Sequence, residues 1–543
     1  MPYQTLLLPL SRFIERVESI PVTLSGALAG FSGVLMVRYL LEGLSSRTAT
    51  GFLASDISTI VHYSLFYITV FLGTILLLAV MARVSIVQAT KIGLFASMAI
   101  WIAPTIDIMF FGGYPMGYVL AGPSQLIAYF VTYFGPIGYG GITPGIRIEL
   151  ALVLLGATLY VYTKTRSMLR SVCTAVFLYT FAFISVSAPS LILAIPILFG
   201  ASVPTLGELL DTSLLSRILL HPGETFQAVV VSERLFNAFI SQVFLLLATV
   251  FVFVWFYRWN PVAFKAFVGN LRIPRLVGYL ALASFGALLA LLETVSFKPN
   301  IIDWYTIATA VLGIAAAWVF AVATNDLVDE DIDRITNSSR PLIQGTLSRE
   351  TMRNIAILSG MWIVFAGVTL GSYALFFLAT YTAAYFIYSV PPLRLKRIPV
   401  LSSLLISLAC LSAVLFGYYV ISSNRIITEF PLNLIFFILI FFTIAVNFKD
   451  LKDIEGDRAA HITTLATLLG QRHARMVFGG ALTGATALAA LFLPLPFGSP
   501  LLAWSTVIAS AVVWVGMVLG QGERFLFITF LAYCAFALGV LLF

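Results

Sequence analysis

Apolar residues run along this chain in blocks of about twenty, and polar residues collect between the blocks. A helix of that length crosses the roughly 30 Å hydrocarbon core of a bilayer. The C-terminal half reads as nine such segments, at 276–296, 303–323, 354–371, 373–390, 401–421, 431–447, 476–493, 499–519 and 524–543. Pro299, Gly371, Pro431 and Pro494 stand at the breaks, as turns require. In the N-terminal half, strong segments lie at 22–43, 60–82, 93–111, 148–163, 171–199 and 236–257. A weaker stretch at 117–135, rich in nearby Gly and Pro, reads as re-entrant or interfacial. The predicted fold is all-α and polytopic in the membrane. A nine-helix unit at 276–543 follows an N-terminal transmembrane region of about six helices at 1–257, with a basic linker at 258–275 holding Arg258, Lys265, Arg272 and Arg275.

Composition agrees. Of the 543 residues, 60% are apolar and 10% charged, and the mean hydropathy is +1.01, which excludes a soluble protein. The net charge of +7 is small and dispersed, so no nucleic acid partner is expected. Cys173, Cys410 and Cys534 lie within apolar runs without CxxC spacing and read as small buried hydrophobes. No cleavable signal peptide is expected, because Leu6–Leu10 is soon broken by Arg12, Glu15 and Arg16.

Basic residues set the topology. Counting crossings from Arg272 and Arg275 in the cytoplasm places the loops 324–353, 391–400 and 448–475 on that side. They carry Arg334, Arg340, Arg349, Arg353, Arg394, Lys396, Arg397, Lys449, Lys452, Arg458, Arg472 and Arg475, against Lys298 and Arg425 in the opposite loops. Twelve against two is a clear positive-inside bias in a multi-pass cell-membrane protein.

The polar residues at two span ends repeat a pattern. Asp326, Asp329 and Asp333 stand at i, i+3 and i+7, and Asp450, Asp453 and Asp457 repeat that spacing. On a helix these positions share one face. Six acids gathered at a membrane surface repel one another unless cations lie between them, and carboxylate oxygens suit Mg²⁺ carrying a substrate phosphate. Four crossings separate the two triads, as in a parallel internal duplication. Either triad alone is an ordinary solvated acidic helix end; the pair on one predicted face indicates a diphosphate site. Glu330, Asp331 and Glu455 lie off that face.

Three loops carry a family resemblance. The first reads Asn325-Asp326-Leu-Val-Asp329-Glu-Asp-Ile-Asp333, continuing to Asn337, Arg340 and Pro341. The second reads Tyr388-Ser389-Val-Pro391-Pro392-Leu-Arg394-Leu-Lys396-Arg397. The third reads Lys449-Asp450-Leu-Lys-Asp453-Ile-Glu-Gly456-Asp457-Arg458, continuing to Thr464-Leu465 and Gly470. Together, over roughly 270–543, they resemble the UbiA superfamily of intramembrane prenyltransferases, with His461 where Gly is usual and Ala466 where Pro is usual. The N-terminal half shows no such resemblance.

The resemblance implies a nine-helix bundle that opens to membrane lipid and holds a polyprenyl diphosphate, with Mg²⁺ as cofactor. The prenyl group would pass to a lipophilic acceptor, a lipid hydroxyl or an aromatic ring; the wording is nearest to archaeal-type lipid synthases and chlorophyll-type prenyltransferases, and a lipid hydroxyl is favoured. Asp326, Asp329, Asp450 and Asp453 are then the catalytic metal ligands, joined by Asp333 and Asp457, which could also hold Arg340 and Lys396 in place. Asn325, Arg340, Tyr388, Ser389, Arg394, Lys396, Arg397 and Lys449 are the substrate-binding candidates. Trp304, Trp318, Tyr381, Tyr385 and Phe442 are candidates to shield an allylic cation. Two alternatives are a transporter or lipid carrier, which acids clustered at span ends oppose for the C-terminal half but not for the N-terminal half, where Arg38, His62 and Asp107 lie within or near apolar spans, and a sugar-phosphate transferase acting on a polyprenyl phosphate, which the doubled triad with the Tyr388–Pro392 loop between disfavours.

Overall fold

The computed structural model describes residues 2–45, 57–112, 117–136, 142–198, 205–220, 229–293, 298–422, 430–451, 454, 463–492 and 500–542. The protein is an all-α polytopic membrane protein. Twelve helices among the described residues are long and apolar enough to cross a membrane, and none of those residues forms a strand.

In chain order the helices are α1 (Pro2–Ser19), α2 (Leu24–Ser45), α3 (Ile57–Ala82), α4 (Ile86–Ala96), α5 (Ile102–Phe111), α6 (Pro123–Val131), α7 (Pro144–Thr165), α8 (Met168–Val186), α9 (Ala188–Leu198), α10 (Leu206–Asp211), α11 (Leu214–Leu219), α12 (Val229–Trp259) and α13 (Pro261–Gly269). There follow α14 (Ile273–Glu293), α15 (Ile301–Val328), α16 (Glu330–Thr336), α17 (Arg349–Thr369), α18 (Ser372–Ser389), α19 (Leu401–Ile421) and α20 (Leu432–Ala445). A short helix at Leu465–Leu469 and three long ones, Gln471–Phe492, Pro500–Val518 and Glu523–Leu542, end the chain. Over the described residues, each apolar segment expected in the C-terminal half falls on one of these helices; 294–296, 493, 499 and 543 lie outside the described residues. The stretch 117–135 holds only the short α6, and the long run 171–199 is divided into α8 and α9 at Ser187.

The chain forms two compact units. One comprises Met1–Lys265, Lys298–Thr309 and Val368–Gly371; the other comprises Ala266–Phe297, Ala310–Gly367 and Ser372–Phe543. The first unit therefore includes the opening residues of α15, well beyond the linker expected at 258–275. Polar bonds join these residues to that unit. Asp303 is buried and accepts from the backbone N–H of Leu214 at 2.6 Å and of Asn300 at 2.8 Å. Thr306 donates to Gln242 at 3.1 Å, and the Asn300 amide donates to the Leu209 carbonyl at 2.9 Å.

The first unit also buries the three intramembrane ionisable residues read from the sequence, each with a partner. Asp107 accepts from the Gly145 N–H at 2.8 Å. His62 lies 2.9 Å from the Tyr118 hydroxyl. Arg38 pairs with Glu42 at 3.0 Å and Glu149 at 3.5 Å. Paired in this way, such groups tolerate the low dielectric.

In the second unit α19 is the most enclosed of the apolar spans. It packs on α14, α18 and α20. Backbone touches backbone where Gly286 of α14 meets Val414 and Gly417 of α19 meets Ala283; a Cβ at either glycine would collide with a carbonyl oxygen.

Candidate active site

α15 stops at Val328, and Asp329 stands between it and α16. The helical phase nevertheless continues. The Asp329 N–H donates to the Asn325 carbonyl at 2.9 Å and the Asp333 N–H to the Asp329 carbonyl at 2.8 Å. The i, i+3, i+7 spacing therefore does place three carboxylates on one face, although the face spans a helix break. All three are buried, with Asp326 1%, Asp329 6% and Asp333 3% exposed.

Buried carboxylates demand partners. Asp326 accepts from Arg272 at 2.5 Å, Arg340 at 2.6 Å and the Asn270 amide at 2.7 Å. Arg340 also reaches Asp333 at 2.5 Å, and Asn337 donates to Asp333 at 3.2 Å. Asp329 accepts from Lys396 at 2.5 Å and from Arg394 at 2.9 Å. Asn325 accepts from the Ser389 hydroxyl at 2.9 Å. Tyr388, half-buried, sits beside Tyr385 with 6.5 Å between ring centres.

Asp333 thus bonds Arg340, while Lys396 bonds Asp329. Arg397 is exposed, so the basic loop divides. Arg394 adopts a left-handed backbone (φ 41°) and turns inward with Lys396. Burial pushes the Asp333 carboxyl up to about 6, with Arg340 opposing and Asp326 adding to the shift. Burial lowers the Lys396 ammonium pKa, against the pull of Asp329.

Sequence reasoning missed Asn270 and Arg272. Arg272 was legible as a topological charge at the start of a span, and no spacing signal links it to Asp326, 54 residues away. The connection is tertiary. Arg272 has a left-handed backbone (φ 50°), and the neighbouring Leu271 carbonyl accepts from the Trp318 indole at 2.7 Å, which ties this turn to α15.

The second motif is described in part. Lys449 and Asp450 lie in the 3₁₀ turn Val446–Leu451, and their side chains fall outside the described residues, as do Asp453 and Asp457. Buried Asn447, three residues before Asp450, accepts from Ser403 at 3.0 Å and donates to the Thr443 carbonyl at 2.6 Å.

Among the described residues no three His, Cys, Asp or Glu side chains stand together as a metal cage. The donor set of the first triad nonetheless suits a hard divalent cation. Asp326, Asp329, Asp333 and Asn325 offer oxygen, the ligand type Mg²⁺ prefers. Arg272, Arg340, Arg394 and Lys396 supply the positive charge these buried carboxylates need.

Residues 279–525 match the model of the UbiA prenyltransferase family. This region belongs to the UbiA family. Asn270 and Arg272 lie ahead of the matched UbiA region. Homogentisate solanesyltransferase of Arabidopsis thaliana is 30% identical over 41% of this chain and 61% of its own length. Homogentisate phytyltransferase of a Synechocystis strain is 34% identical over 36% of this chain and 66% of its own length. Digeranylgeranylglyceryl phosphate synthase of Pyrococcus furiosus is 29% identical over 40% of this chain and 78% of its own length. The chain spans about half to two thirds of the first relatives it matches. Among solved structures, a UbiA homolog from Archaeoglobus fulgidus bound to GPP and Mg²⁺ aligns over 51% of this chain and 100% of its own, with a TM-score of 0.40 and 16% identity.

Proposed function

We propose that this UbiA-family protein transfers a polyprenyl group from a polyprenyl diphosphate to a lipophilic acceptor, with Mg²⁺ as cofactor. The observation that carries the reading is the buried face of Asp326, Asp329 and Asp333, matched by Arg272, Arg340, Arg394 and Lys396 at the end of a membrane span.

Asp326, Asp329 and Asp333, with Asp450, Asp453 and Asp457 of the second motif, would hold the metal. Bound there, Mg²⁺ supplies compensation for the negative charge that the departing diphosphate gains. The chain's own cations share that task. Arg272 and Arg340 present guanidinium forks to phosphate oxygens, and Lys396 with Arg394 does so beside Asp329. Lys449 and Arg397 flank the site in sequence. The Asn325–Ser389 pair and Tyr388 orient the head group. In the reaction, the bond between the prenyl C1 and the diphosphate oxygen breaks, C1 bonds to the acceptor, and the acceptor proton leaves.

The acceptor reading is a lipid hydroxyl of the prenylated glycerol phosphate kind, supported by the archaeal lipid synthase relative. A second reading, an aromatic ring, is supported by the homogentisate-named relatives. Positive-inside asymmetry supports a cytoplasmic site. Cysteine at exposed Ser339 should then react with an impermeant thiol reagent only after permeabilisation. Residues 1–257 are read as an N-terminal transmembrane region, which shares its compact unit with the opening residues of α15.

The test incubates the purified full chain with geranylgeranyl diphosphate, Mg²⁺ and a panel of lipid-hydroxyl and aromatic acceptors, with products read by mass spectrometry. Metal-dependent diphosphate release with a prenylated product is expected. No product with any acceptor, from folded protein, overturns the assignment.

A further inference from the structure

The chain itself occupies every carboxylate oxygen of the first triad. Asp326 accepts from Arg272 and Arg340 on Oδ1 and from the Asn270 amide on Oδ2. Asp329 accepts from Lys396 on both oxygens and from Arg394 on Oδ1. Asp333 accepts from the Asn337 amide on Oδ1 and from Arg340 on Oδ2. A ligand atom that is to reach any of these oxygens must first displace a donor or share its acceptor. Among the described residues four cations face three carboxylates, which leaves one positive charge in surplus. Adding Mg²⁺ alone would increase that surplus and break charge-assisted bonds at the same time. A diphosphate does the reverse. It offers oxygens to the same guanidinium and ammonium groups, and each cation that turns to phosphate frees a carboxylate oxygen.

The two sides of these pairs differ in freedom. The carboxylates are fixed by helical phase, which backbone bonds carry from α15 into α16. Arg340 lies in the connection between α16 and α17, where Gly345 has a left-handed backbone (φ 70°). Lys396 lies in the short 3₁₀ turn Leu395–Arg397. Both side chains are long and reach the triad from connections, so a rotamer change redirects them without moving a span. Arg272 has less room, because its turn is tied to α15 through the Leu271 carbonyl and the Trp318 indole at 2.7 Å.

Resting on the prenyl-transfer reading, we infer that Arg340 and Lys396 are exchange cations: they hold Asp326, Asp329 and Asp333 until a diphosphate arrives, then pass to its oxygens and release the carboxylates to Mg²⁺. Diphosphate and metal therefore bind this face with positive coupling, and Mg²⁺ alone binds it weakly. Coupling between two ligands is reciprocal, so each raises the affinity of the other by the same factor.

The test is equilibrium dialysis of the purified full chain, which counts retained Mg²⁺ at fixed free metal with and without inorganic pyrophosphate. Pyrophosphate should lower the half-saturating free Mg²⁺ of wild type by about tenfold or more, within the ordinary range of coupling between sites. Lys396→Met should retain Mg²⁺ more tightly than wild type without pyrophosphate, and should gain less when pyrophosphate is added. Lys396→Arg keeps the charge and should return both values toward wild type. Arg334→Met removes an exposed cation paired with Glu330, off the acidic face, and should behave as wild type. Melting followed by tryptophan fluorescence identifies variants that fold, and Arg340→Gln serves if Lys396→Met does not. Equal Mg²⁺ retention by wild type with and without pyrophosphate overturns the exchange, as does an equal change in Lys396→Met and Arg334→Met. Joint retention of Mg²⁺ and pyrophosphate without prenyl transfer from any donor instead overturns the underlying activity and leaves the exchange standing.

Discussion

Lys396 donates to both carboxylate oxygens of Asp329, at 2.5 and 2.6 Å. The pair joins the basic loop to the first acidic motif and places an ammonium beside a proposed metal ligand. Removing either partner should have distinct consequences. Asp329→Asn takes away a charge that matters most as the diphosphate departs, so kcat should fall by roughly 10²–10³. Lys396→Met leaves that ligand in place but removes a phosphate contact, so the donor KM should rise by about tenfold while kcat changes less. Steady-state kinetics of purified variants with a labelled donor measure both.

Arg272 and Asn270 should matter although they precede the UbiA-matched region. Arg272→Ala leaves a hydrogen-bonded charge on Asp326 without one of its partners. Donor KM should rise about tenfold or more, since charge-assisted bonds are roughly twice as strong as neutral ones. Arg272→Lys should recover part of the loss, because a point charge replaces the fork but not its geometry. Equal kinetics for wild type and Arg272→Ala would remove this turn from the site.

Mg²⁺ affinity should depend on pH through Asp333. Its carboxyl is raised to about 6, above the ordinary Asp value, because burial disfavours the charge. The sign follows. Below about pH 6 the metal-free site holds a proton that a metal must displace, so apparent affinity falls as pH drops through 6 and levels off above it. By the same shift, ionising Asp333 costs the metal-free fold stability as pH rises from the ordinary Asp range through 6. Mg²⁺ titration followed by thermal shift at pH 5.5 and 7.5 checks the first, and Asp333→Asn should flatten the dependence.

Asp303 should be a stability determinant far along α15 from the carboxylates. Asp303→Ala leaves the buried Leu214 N–H without its acceptor, a loss of about 1–3 kcal/mol. The unfolding temperature should drop, and Asp303→Asn, which keeps an acceptor oxygen, should recover part of it. For the same reason a chain starting at residue 270 should be less stable than the full protein. It lacks Leu209, Leu214 and Gln242, the partners of Asn300, Asp303 and Thr306. Equal melting temperatures for the truncated and full chains would show that these bonds contribute nothing.

Helix positions among the described residues were largely readable, because a bilayer demands long apolar runs and internally satisfied backbone. The i, i+3, i+7 spacing likewise foretold that Asp326, Asp329 and Asp333 share a face, since helical phase is local. The stretch 117–135 and the division at Ser187 were harder, because Gly, Pro and Ser interrupt hydropathy without saying whether the chain turns back or continues.

The linear order of residues thus settled what local periodicity and the bilayer govern: apolar spans, an acidic face at the end of α15, and basic loops around it. Tertiary packing decided which cation meets which carboxylate. It drew Arg272 and Asn270 to Asp326, sent Lys396 and Arg394 but not Arg397 to Asp329, and placed the first turns of α15 with the N-terminal helices. Those pairings depend on how distant helices approach, and a buried charge accepts whichever partner the packing brings within hydrogen-bonding reach.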